Sequence, residues 1–258
     1  MKSKGISPEI KRALLNVAYP LIAFAVILAV WAIAAAAMGN TVLLPYPGEV
    51  IKRFFTLHGE SGFWQALGMT TGRILETFAI SLAISLAAAL AGALWKPFDR
   101  IMAPVNTVLR AAPTMAVILL AMLWIEYEQA PVLIGFLVAY PVMYTAFHSA
   151  FTGIPKELTE MAKVYDVPVK DRITGIYLPM TMPAVFDTSR TAVSLTVKVV
   201  IAAEVLAYVR DSMGLQMLAA NREFDVAALM AWTVLAIVLS FVLEGVIIVV
   251  KKLWEARR

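Results

Sequence analysis

The chain has 258 residues, of which 61% are hydrophobic and 16% charged, with a mean hydropathy of +0.79. A soluble domain averages about 45–50% apolar and about 25% charged residues, so the excess faces lipid and a soluble domain is excluded. The net charge of +4 is mild and its basic residues lie between apolar runs, which argues against nucleic acid as a partner, while the absence of cysteine excludes disulfides, thiolate metal sites and cysteine nucleophiles.

Crossing a bilayer core takes about 20 apolar residues as a helix. Six stretches reach that length: about Leu14–Met38, Ala66–Trp95, Ile101–Ile125, Pro131–Phe151, Met180–Val209 and Val226–Val250. Helix is the only state that satisfies each segment's own backbone in lipid. The expected fold class is therefore an all-α membrane protein with six transmembrane helices in one domain spanning residues 1–258. The first run is far longer than the apolar region of a signal peptide and reads as a span that stays. The third is interrupted at Arg110-Ala-Ala-Pro113.

Between the first two spans, Gly39–Gln65 contains Leu44-Pro45-Tyr46-Pro47 and then Val50, Ile51, Phe54 and Phe55 at helical spacing, with Lys52 and Arg53 opposite. This predicts a short helix over about 47–57 lying at the outer interface, either as a surface anchor or with a role in transport. The second span carries Gly68, Gly72, Ser81, Ser85 and Ala89, a small-residue pattern suited to close packing, within the bundle rather than at a dimer seam. Met115, Met122, Met143, Met180 and Met182 read as core filler.

With the N-terminus inside, the inner segments hold Lys2, Lys4, Lys11, Arg12, Lys96, Arg100, Lys156, Lys163, Lys170, Arg172, Lys251, Lys252, Arg257 and Arg258; the outer ones hold only Lys52, Arg53, Arg210 and Arg222. That asymmetry places both termini in the cytoplasm.

The inner connection, Thr152–Pro179, mixes Glu157, Glu160, Lys163, Asp166, Lys170, Asp171 and Arg172 with an apolar side of Leu158, Met161, Ala162, Val164 and Tyr165. Pro155 precedes this helical pattern and Pro168 interrupts it. Two short surface helices with a bend and a plain mixed-charge loop are both open on this pattern alone.

Within it stand Glu160-Met161-Ala162, three residues, Asp166, nine residues, Ile176, Tyr177 and Leu178-Pro179. This resembles the EAA motif loop of ABC importer permeases: Glu-Ala-Ala, three residues, Gly, nine residues, Ile, one residue, Leu-Pro. Glu160, Ala162, Ile176, Leu178 and Pro179 match; Met161 and Asp166 depart. Asp tolerates a left-handed backbone, so the turn that the family's Gly permits can survive. Further matches run from Leu44 to the C-terminus and are similar to the nitrate, sulfonate and taurine branch: Leu44–Pro47, Arg73, Arg110 with Pro113, Ala203-Glu204, and Met213-Gly214-Leu215.

The resemblance implies a type I ABC importer permease in a prokaryotic inner membrane. A second copy, two copies of a separate cytoplasmic ATPase and an extracytoplasmic binding protein would be its partners, and its solute would be small and polar or anionic. Glu160, Met161, Ala162, Asp166, Val167, Pro168, Ile176, Leu178 and Pro179 would form the coupling segment. The chain would bind no cofactor and catalyse nothing itself. ATP and Mg would sit in the partner, because the chain has no Gly-x-x-x-x-Gly-Lys-Ser/Thr phosphate loop.

Ionisable groups within spans are costly and face protein or water. Arg73 and Glu76 share a helix face, so a local ion pair or a solute contact is open to them. Asp187 and Arg190 repeat the spacing, with Glu244 as a possible third member. Lys198 and Glu204, six residues apart, do not share a face. Arg110, Lys198 and Glu204 either line or brace the pathway, or lock the bundle by polar pairing. A self-contained secondary transporter would need inverted repeats with matching broken helices, and only one broken helix is visible. A membrane-embedded enzyme would need clustered His, Asp or Glu, but His58 and His148 are the only histidines and stand apart.

Overall fold

The computed structural model describes residues 8–256, with side chains at residue 16 and from residue 18 onward. Lys2, Lys4, Arg257 and Arg258, and the side chains of Lys11 and Arg12, lie outside the described residues. Among these residues every regular element is helical. In chain order they are α1 (Pro8–Met38), α2 (Pro47–Thr56), α3 (Phe63–Leu94), α4 (Lys96–Ala111), α5 (Thr114–Trp124), α6 (Ala130–Thr152), α7 (Lys156–Val164), α8 (Val169–Arg172), α9 (Leu178–Leu206), α10 (Met213–Arg222) and α11 (Val226–Ala256).

Four stretches are long and apolar enough to cross a membrane: Ala18–Met38 within α1, and α3, α6 and α11. Helices α4 and α5 pass the same criterion only together, across a 98° bend. The third apolar stretch is therefore two helices rather than one straight span. The cause is local: Pro113 drives the preceding Ala112 into an extended conformation (φ −64°, ψ 127°), which ends α4. Helix α9 has 29 residues, about 44 Å of helix, but Asp187, Arg190, Lys198 and Glu204 make it less apolar than the others.

Helix α6 is the central post, packing against α3 on one side and α9 on the other, and α11 covers α9, α2 and α10. The α3–α6 approach is tight at Gly135, where a Cβ would stand 2.6 Å from Thr77 Cγ2. Gly68 and Gly72, by contrast, have open space around them, so the close packing involves Ser81, Ser85 and Ala89, all fully buried, and not the glycine pair. Of the five methionines read as core filler, only Met143 is fully buried, while Met115 and Met180 are exposed.

One end of the bundle gathers α2, α10 and the first turns of α3 and α11. Here Val50 and Leu57 are buried with Phe63, Met213 and Trp232. Helix α2 thus lays its apolar face on α11, while Ile51 and Phe55 point outward. Arg53 holds this end together by pairing with Glu60 and, at 3.1 Å, with Asp225. Asp225 in turn caps α11 by accepting the Ala228 N–H at 2.9 Å. Helix α1 stays at the margin, tied by the Trp31 indole N–H to the Pro45 carbonyl at 3.0 Å. At the opposite end, Tyr144 stacks on His148, whose Nε2 lies 3.0 Å from Asp99 Oδ1 and so links α6 to α4.

Candidate functional site: a buried lock, a turn-bearing loop and a polar groove

The deepest charge is Glu204, with 0% exposure, near the end of α9. It accepts the Thr70 hydroxyl (3.0 and 2.9 Å), the Arg73 guanidinium (3.0 Å) and the Gly214 N–H (3.2 Å). Thr70 Oγ1 also accepts the Met213 N–H at 2.9 Å. One carboxylate thereby joins α3, α9 and the start of α10. Ser212 caps α10 by accepting the Leu215 N–H at 3.0 Å, which aims the first α10 N–H groups at Glu204. Gly214 is required for the approach: a Cβ there would meet Glu204 Cβ at 2.5 Å, Val205 N at 2.7 Å and the Ile201 carbonyl oxygen at 2.9 Å.

This corrects the expectation of a local Arg73–Glu76 pair. Arg73 turns inward to Glu204, whereas Glu76 is exposed and makes no ion pair among the described residues. A charge buried in the bundle needs a partner more than one at its rim. The roles of Thr70 and of the Met213 and Gly214 N–H groups were missed in the sequence; Thr70 stands one turn before Arg73 on the same face, and Met213-Gly214-Leu215 stood out only as a family match.

At the far end, α7 closes in a Schellman turn. The Val167 N–H reaches the Ala162 carbonyl (2.9 Å) and the Asp166 N–H reaches the Lys163 carbonyl (3.1 Å). Asp166 occupies the left-handed position with φ 48°, where the family motif has Gly. Ala162 is fully buried beneath the turn; Glu160, Met161, Asp166 and Pro168 are exposed; Val167, Ile176, Leu178 and Pro179 are half-buried. Between α8 and α9 the chain widens into one π-helical turn, Ile173–Tyr177, in which the Leu178 N–H bonds back to the Ile173 carbonyl. Pro179 has no N–H to continue an α-helical ladder and its ring crowds the carbonyl four residues back, so the wider turn relieves both.

Along α9, Asp187, Arg190, Ser194 and Lys198 open into a groove against α11. Arg190 Nε meets Glu244 at 3.0 Å, Lys251 meets Asp187 at 2.7 Å, and Ser194 bonds to Glu244 and, at 2.7 Å, to Ser240. The expected third member, Glu244, is present, but Asp187 pairs with Lys251. Lys198 is exposed on the face opposite Glu204, and Arg110 is exposed in the last turn of α4, beside the bend at Pro113. Arg110, Lys198 and Glu204 therefore do not form one cluster. Among the described residues no group of His, Asp and Glu is placed to hold a metal ion.

Residues 83–252, which include the whole Thr152–Pro179 loop, match the family described as binding-protein-dependent transport system inner membrane component. The chain belongs to that family. As an inner membrane component it has curated relatives of nearly its own length. It is 32% identical over 224 residues to SsuC of Escherichia coli, a permease named for aliphatic sulfonates, covering 85% of this chain and 83% of that one. It is 28% identical over 218 residues to the riboflavin transport permease RibX of Chloroflexus aurantiacus, covering 83% and 81%. It is 27% identical over 195 residues to the nitrate import permease NrtB of Synechococcus elongatus, covering 70% and 68%. A chain of the MetNI methionine ABC transporter, solved in inward-facing conformations, has the same fold, with a TM-score of 0.55 at 14% identity over 72% of this chain and 91% of that one.

Proposed function

We propose that the chain is the permease subunit of an ATP-driven type I importer, a single domain over residues 1–258 that crosses the inner membrane six times with both termini in the cytoplasm. In this reading α9 counts as a span despite its charges, and the bent α4–α5 pair counts as one. The basic residues between the apolar stretches support the orientation. Helix α2 then lies at the outer surface and the loop over 152–179 at the inner one. The permease pairs with a second copy, and each loop docks on one copy of a cytoplasmic ATPase while a binding protein delivers solute outside. ATP and Mg belong to the ATPase; this chain supplies the path.

The observation that carries the proposal is the Glu160–Pro179 segment. It has the spacing of the importer coupling loop, folds as two short helices around a left-handed turn, and lies inside the matched family region. Its tip leaves Val164 78% and Tyr165 77% exposed, next to Met161 and Val169. Exposed apolar side chains gathered at a charged loop suit a protein partner. Sulfonate and nitrate relatives favour a small anionic solute and the riboflavin relative a polar organic one, so the solute is small and polar or anionic. Arg110 at the Pro113 bend and Lys198 on α9 then face the pathway, and Glu204 with Arg73 braces it.

Glu160→Arg tests the coupling. It should leave membrane insertion unchanged and separate ATP hydrolysis from transport in reconstituted vesicles. Normal coupling in that variant would remove the loop from the mechanism.

A further inference from the structure

Asp187, Arg190, Ser194, Lys198 and Ala202 recur three or four residues apart, with Thr191 beside Arg190, and so form one stripe along α9. The stripe points away from the α9 face that packs into the bundle, and it is open on this chain. Charges at the depth of a span cost about 2.5–3.5 kcal/mol each when they face lipid, so this face is turned to water or protein. Two adjoining cavities of about 610 and 730 Å³ follow the stripe between α9 and α11, and they share Ser194, Lys198 and Glu244.

The charges along the groove are matched except at one point. Asp187 is neutralised by Lys251 and Glu244 by Arg190. Lys198 has no ion pair among the described residues, and Glu244, which lines both cavities with it, is already paired with Arg190, so the middle of the groove carries an excess of positive charge. Beyond Lys198 the wall turns apolar, with Ile201, Val205, Ile237 and Phe241.

We propose that Lys198 is an anion-binding group of the pathway, and that the solute moves along the α9–α11 groove as an organic oxyanion with its acid group at Lys198 and a short apolar body on Ile201 and Phe241. The proposal rests on the permease reading. A single hydrated ammonium suits a site that must also release its ligand, because it lacks the two-point grip of a guanidinium.

The test uses the absence of native cysteine. Ala202→Cys places one thiol a turn from Lys198 on the same stripe. The tagged complex with its ATPase is reconstituted in phosphatidylcholine vesicles, so no anionic lipid contributes. The thiol is treated with a sulfonate-bearing or a trimethylammonium-bearing methanethiosulfonate, and modification of this chain is followed by mass. Relative to a free thiol, the anionic reagent should be favoured about tenfold. Lys198→Gln should abolish that preference and Lys198→Arg should keep it. A thiol that neither reagent reaches would mean the groove is sealed by lipid or by the second copy and would overturn the proposal. Equal rates with Lys198 present would overturn it too, as expected if a carboxylate of the second copy pairs with the lysine. Co-assembly with the ATPase is read in the same preparation. Its failure would remove the permease reading, whereas assembly without charge preference would remove only the Lys198 assignment.

Discussion

Replacing Glu204 by Gln tests whether the buried carboxylate locks the bundle. Gln has the same shape and its amide oxygen can still accept the Thr70 hydroxyl or the Gly214 N–H. Its amide nitrogen is a donor, however, and nothing then neutralises Arg73, which is 9% exposed and 3.0 Å from the carboxylate. Removing one partner of a buried ion pair costs about 3–5 kcal/mol. For a chain of this size that corresponds to a fall in thermal midpoint on the order of 10 °C. The assay is loss of the monodisperse peak after heating in mild detergent, read by fluorescence-detected gel filtration. Arg73→Met combined with Glu204→Gln should recover much of the loss, because removing both charges leaves no unpaired ion. Wild-type midpoints for both the single and the double variant would refute the lock. A single variant that melts normally but transports poorly would place Glu204 among solute contacts instead.

Gly214→Ala should destabilise by at least about 2 kcal/mol in the same assay, because the new methyl meets backbone atoms of α9 at 2.7 and 2.9 Å and these have no room to retreat. Asp166→Val should break the Schellman turn by about 1–2 kcal/mol and speed amide exchange at Val167, whereas Asp166→Gly should slow it, both read by hydrogen-exchange mass spectrometry of the 156–172 region. Asp225→Ala removes the α11 cap and one partner of Arg53, so it should cost about 1–2 kcal/mol and expose α2 to limited proteolysis.

What was legible in the sequence was what local pattern controls. The α3 stretch expected over Ala66–Trp95 is Phe63–Leu94, and the α2 turn expected over about 47–57 is Pro47–Thr56, because apolar run length and proline placement set both. The left-handed turn at Asp166 followed from motif spacing and the backbone tolerance of aspartate. The choice of partners was not legible. Arg73 had an acid one turn away at Glu76, yet bonds to Glu204, 131 residues distant, because burial and not proximity in the chain decides which charge must be paired. The small-residue pattern pointed to Gly68 and Gly72, while the tight approach occurs at Gly135, on a helix where a lone glycine gave no spacing signal. The 98° angle at Pro113 was visible as an interruption but not as a turn, since a proline sets the break and tertiary packing sets its angle.

The central claim is that this chain is a passive path driven by a partner. Its most direct test is purification of the tagged chain in mild detergent from its native membranes, followed by reconstitution of what co-purifies. The account predicts that a nucleotide-binding ATPase subunit is recovered in equal amount and that uptake into the vesicles requires ATP. Recovery of the chain alone, active with only an ion gradient, would contradict it and make the protein a secondary transporter.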